Sequence, residues 1–86
     1  MDVRISAEML DALRNTSELP DNLLAVVNNA STADDDFILQ LDEDESMALT
    51  EMCEWYITKD PATGELTEKA KIFDGIVRAI YEADLA

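Results

Sequence analysis

The stretch DFILQLDEDESMALTEMCEWYI, Asp36 to Ile57, decides how the chain is read. Phe37, Leu39 and Leu41 share one face if the backbone is extended, with Ile38 and Gln40 on the other. The run is too short for a helix and acidic residues bound it, which predicts a strand. Asp42 then suits a helix N-cap, and Glu45, three residues on, completes a capping-box pattern. Glu43, Asp44 and Glu45 fall in the first turn, where the helix dipole favours negative charge.

Leu49, Met52, Cys53 and Tyr56 recur at i, i+3, i+4 and i+7, the apolar stripe of an amphipathic helix. Asp44, Glu51, Glu54 and Thr58 take the opposite half. Met47 lands among those acids, and Trp55, the only tryptophan, lands at the edge of the stripe. A thioether and an indole beside a carboxylate row are the most site-like pattern here. The plainer account is that Trp55 completes the core and Met47 is a scattered surface residue.

Upstream, Val3 and Ile5 alternate with Arg4 and Ser6, a short strand. Ser6 also caps a helix over Ala7 to Arg14, with Ile5 and Leu10 placed as a hydrophobic staple. Asn15 to Ser17 break that pattern. Ser17, or Leu19 with Pro20 in the first turn, opens a second helix with Leu23, Val26, Val27 and Ala30 as its stripe. Residues 31–36 read as an acidic connector, exposed and mobile, because Asp34, Asp35 and Asp36 repel one another.

Downstream, residues 59–66 are turn chemistry: Pro61 fixes φ, and Gly64 supplies a position for φ > 0. A β-hairpin across this turn is the alternative to helix–turn–helix. Thr67 is a cap for the last helix, whose stripe is Ala70, Phe73, Ile76, Val77, Ile80 and Tyr81. Asp74, Arg78 and Glu82 are spaced for i, i+4 pairing outside it. Gly75 in mid-helix costs about 1 kcal/mol relative to alanine. With Ile72, Ala79 and Ala83 it forms a small-residue face that another helix could approach, within the fold or across a homodimer.

The expected fold is therefore a mostly helical α+β single domain, residues 1–86, in the order β-α-α-β-α-α. Four helices accompany two short strands, whose pairing the pattern leaves open. No internal repeat is visible.

Charge bounds the function. Twenty acids against six bases leave a net charge of −14. Phosphate contacts need clustered Lys and Arg, so direct nucleic-acid binding and anionic membrane surfaces are disfavoured. No apolar run is long enough to span a bilayer, and MDVRIS lacks the layout of a signal peptide. One cysteine leaves no internal disulfide, and a reducing cytoplasm is the expected compartment.

Catalytic chemistry finds few components. Without histidine there is no imidazole base and no Ser-His or Cys-His nucleophile. Cys53 lies on the apolar stripe with no cation near it in sequence, so it is read as buried and inert. Zinc is not expected from one thiol and no imidazole, and the Asp42–Glu45 run lacks the glycine and spacing of an EF-hand. No cofactor is expected. Ser46 near a helix start, followed by Met47, invites comparison with the acyl carrier proteins, whose serine carries phosphopantetheine. The glycine and aspartate before that serine are replaced here by Asp44 and Glu45, and the FILQL strand is foreign to that fold. The comparison stops there.

What remains is a non-enzymatic acidic module for protein–protein interaction, an inhibitor or antitoxin-like partner covering a basic protein surface. Carboxylates at i, i+3 and i+7 lie about 5 to 10 Å apart, comparable to successive phosphates, so such a face imitates a nucleic-acid backbone. The residues assigned to it are Asp42, Glu43, Asp44, Glu51 and Glu54, with Met47 and Trp55 as apolar anchors. The alternative is a structural homodimer joined through Ile72, Gly75, Ala79 and Ala83, its acidity serving solubility or a high-salt cytoplasm.

Overall fold

Alternation in two five-residue segments builds the centre of a small antiparallel sheet. In this computed structural model, which describes residues 1–16, 19–57, 59 and 61–85, β1 spans Asp2–Ser6 and β3 spans Asp36–Gln40. Val3 pairs with Leu39 and Ile5 with Phe37, so both apolar sets face one side. Val3, Ile5 and Leu39 are buried there and Phe37 packs against them. The strands are antiparallel, a choice the pattern left open.

A third strand was not anticipated. Ser31–Ala33 forms β2, pairing antiparallel with β3 to give the order β1-β3-β2. The expected loose acidic connector is therefore a tight hairpin. Two causes are visible. Asp34 adopts φ 56°, the left-handed conformation that a short polar side chain tolerates. Arg4, reaching from β1, places its guanidinium 2.8 Å from Asp36 and 3.7 Å from Asp34, so a cation relieves the repulsion within the aspartate run.

Among the described residues three helices pack against the sheet, and another packs on one of them. α1 spans Ala7–Arg14, and Ser6 Oγ accepts from Met9 N–H at 3.3 Å as its cap. α2 spans Asp21–Asn28. Pro20 is its N-cap rather than a first-turn residue and offers no side-chain cap, while Ser17, the other candidate opener, lies outside the described residues. α3 spans Glu43–Trp55 and α4 spans Glu68–Leu85. Between them Gly64 takes φ 74°, and Lys59 bridges Leu66 in a single antiparallel pair. Thr67 Oγ1 accepts from Ala70 N–H at 3.1 Å, as its cap position required.

α4 is the core element. Ala70, Phe73, Ile76, Val77 and Ile80 are buried, and the helix packs against β1, α1 and α3. Tyr81 departs from the expected stripe and is 56% exposed. It stands a 100° turn from Ile80, past the edge of the buried arc. Gly75 meets α1: a Cβ built there would lie 2.5 Å from Met9 Cε. At Gly75 the small-residue face therefore receives the end of a side chain from within the fold. Ile72, Ala79 and Ala83 are half-buried against the core. Among the described residues no helix is long and apolar enough to cross a membrane.

Candidate functional site

The Asp42 side chain fixes where α3 begins, and with it the direction of every residue along that helix. Its Oδ1 accepts from Glu45 N–H at 2.7 Å, and Glu45 Oε1 accepts from Asp42 N–H at 2.9 Å, the complete capping box. Leu49 and Cys53 then turn inward, and the ridge Glu43, Met47, Glu51, Trp55, spaced by fours, turns outward.

Where α3 packs on α4, that ridge forms one wall of a shallow groove of about 300 Å³. Met47, Tyr81 and Met1 are its exposed apolar side chains, the first two 59% and 56% accessible, and the buried Ile80 also lines it. Glu43, Glu51, Glu54 and Asp84 surround them. The polar groups of its floor are satisfied internally: Ser46 Oγ donates to Glu43 O at 2.9 Å and Thr50 Oγ1 to Ser46 O at 2.8 Å. Ser46 is only 6% exposed, so its hydroxyl belongs to the helix rather than to the surface.

Trp55 stands at the end of the ridge. It is 84% exposed and shares a second, open depression with Glu51 and Glu54. It therefore does not complete the core. Glu51 and Glu54 border both depressions, which makes them one continuous surface about three helical turns long.

No family model, curated protein or solved structure matches this chain.

Of the residues the sequence assigned to a partner face, Glu43, Met47, Glu51 and Glu54 line the groove and Trp55 adjoins it. Asp42 is exposed but committed to the cap, and Asp44 is exposed in the first turn outside the lining. Tyr81, Asp84 and Met1 were missed. Tyr81 and Asp84 stand at i, i+3 on α4, a spacing that places them on one face but does not name the face opposite them.

The electrostatics are one-sided. Among the described residues lining the groove there is no Lys or Arg. Arg4 is engaged at the hairpin, Arg78 lies 3.0 Å from Asp74, Lys71 lies 3.9 Å from Glu68, and Lys69 sits 5.1 Å from the Tyr56 ring centroid. The ammonium of Met1 donates to Leu41 O at 2.6 Å, away from the carboxylates in its hydrogen bonding. Burial, and then the charge of Glu54, push the Cys53 thiol up to about 12, which leaves it protonated and a poor nucleophile. Among the described residues no group of three or more His, Cys, Asp or Glu is arranged to hold a metal ion. The groove offers carboxylates, apolar side chains and a bare indole, the chemistry that meets a cation on an apolar stem.

Proposed function

We propose that this protein is a non-enzymatic binding module that covers a basic surface of another protein. The observation that carries the reading is Trp55, 84% exposed beside Glu51 and Glu54 in a chain of net charge −14. Trp and Tyr are among the side chains most enriched at binding hot spots, and an indole this exposed leaves its apolar area free for a partner. The surrounding carboxylates attract a basic partner over distance and accelerate encounter, while the apolar groups hold it after contact. A face of this kind serves an inhibitor that occupies a nucleic-acid-binding surface. The alternative, a homodimer joined through Ile72, Gly75, Ala79 and Ala83, would have to form with Met9 seated against Gly75.

The test is affinity capture from cells at about 0.1 M and about 1 M salt, where the screening length falls from about 10 Å to about 3 Å. Wild type and the Glu51→Lys/Glu54→Lys variant serve as baits. The reading expects a captured protein with a basic face, lost both at high salt and on the charge-reversed bait. Capture that is indifferent to salt and to the charge reversal overturns it.

A further inference from the structure

The geometry points to a defined occupant for the α3–α4 groove: a basic amphipathic helix of the partner. Its apolar side chains would lie on Met47 and Tyr81, and an Arg or Lys about two turns further on would lie over Trp55, within reach of Glu51 and Glu54. This rests on the proposed binding role and says which structure of the partner is bound, and how.

Three features favour a helix with this pattern. The groove lies between two packed helices, and the α3 residues that line it, Glu43 to Glu54, span about 16 Å along the helix axis. That matches three turns of a helix laid along it, the helix-in-groove mode of recognition. Met47 and Trp55 are eight residues apart on one helix, an axial separation of about 12 Å. An occupant running alongside spans the same distance between positions i and i+8, so an apolar residue and a cation at that spacing meet the two sites together. The exposed indole and the two carboxylates that share its depression suit a guanidinium or ammonium, which gains from the ring quadrupole and from both charges.

Charge also rules against the other occupants. A second copy would bring Glu43, Glu51, Glu54 and Asp84 against the same acids of its neighbour, with no Lys or Arg in the described lining to answer them. Nucleic acids and anionic bilayers meet the same repulsion. The groove is also shallow and small, at the lower limit of the clefts that enclose drug-sized ligands.

The test uses the full chain and a capped synthetic peptide of about 18 residues, long enough to hold a helix in part. The peptide carries Leu at i, i+3 and i+4 and Arg at i+7 and i+8, and contains no Trp. A second peptide has the same composition, scrambled so that Leu and Arg share no face. Affinity is measured at about 0.1 M salt, with the emission of Trp55, the only tryptophan, as reporter. The proposal expects the amphipathic peptide to bind at least about tenfold more tightly than the scrambled one and to shift Trp55 emission to the blue. Glu51→Gln/Glu54→Gln and Tyr81→Ala weaken binding about five- to tenfold. Asp11→Asn/Asp21→Asn, which removes the same charge from exposed sites on α1 and α2, costs less than about twofold. Equal binding of both peptides, with equal losses from both double neutralisations, overturns the groove while leaving a merely acidic module standing. Failure of both peptides to bind at low salt overturns both readings.

Discussion

Met9 fills the space that a side chain at Gly75 would need, with its terminal methyl 2.5 Å from the position of the missing Cβ. The contact joins α1 to α4 and accounts for a glycine in the middle of the longest helix. Gly75→Ala gains about 1 kcal/mol of helix propensity but displaces the flexible end of Met9. The expected outcome is a near-neutral change in denaturant stability for the single variant. In a Met9→Ala background the same substitution should stabilise by about 1 kcal/mol. A double-mutant cycle that shows no coupling between the two positions would remove this account.

Asp42 holds both ends of the capping box, so its principal effect is on stability. Asp42→Ala should cost about 1 kcal/mol, which in a domain of this size lowers the midpoint of thermal unfolding by about 4–8 °C. Asp42→Asn keeps an oxygen for the Glu45 N–H and should lose much less. Calorimetry on the two variants separates the cap from the charge: equal losses would mean that the charge mattered.

Cys53 links stability to alkaline pH. Its thiol is raised to about 12 in the folded chain against an ordinary value of 9.0. The folded state therefore retains a proton that the unfolded state has released. The resulting stabilisation of the folded, protonated form is complete below pH 9 and declines as pH rises from 9 toward 12. Between pH 9 and 10 wild type should lose about 1 kcal/mol more than Cys53→Ala. Parallel pH profiles for the two proteins would contradict this. In the native state at neutral pH the thiol should also react with alkylating reagents far more slowly than after unfolding.

Asp34 sustains a left-handed backbone at the β2–β3 turn, with φ 56°. Asp34→Gly should relieve that conformation and be neutral or stabilising by about 0.5–1 kcal/mol, even though it removes the 3.7 Å pairing with Arg4. Asp34→Val should destabilise by more than about 1 kcal/mol, since a branched side chain resists φ > 0. Chemical denaturation of the pair measures both signs.

The sequence made β1, β3 and the cap of α3 legible because each rests on contacts among residues a few positions apart. Val3 with Ile5, Phe37 with Leu39, and Asp42 with Glu45 carry their own evidence. β2 was hidden for the opposite reason. Ser31, Thr32 and Ala33 have no apolar alternation, and what holds them is pairing with β3 and the reach of Arg4 from a distant strand. The site was half visible in the same way. Glu43, Met47, Glu51 and Glu54 share one helix, so helical spacing groups them. Tyr81 and Asp84 join them only through the packing of α4 on α3, and Tyr81 was placed in the core because one residue beyond Ile80 still fits an apolar stripe.

The sheet order also sets a sequence of events during folding. β3 lies between two partners: β2 is joined to it by a tight turn, whereas Arg4 and Asp36, bonded across the sheet, are 32 positions apart. The hairpin can close within microseconds, but β1 must be brought in across a long intervening loop at a higher entropic cost. β1, paired across the longer loop, is thus expected to be seated last, and pulse-labelled hydrogen exchange should find amides of the hairpin protected before those of Val3 and Ile5.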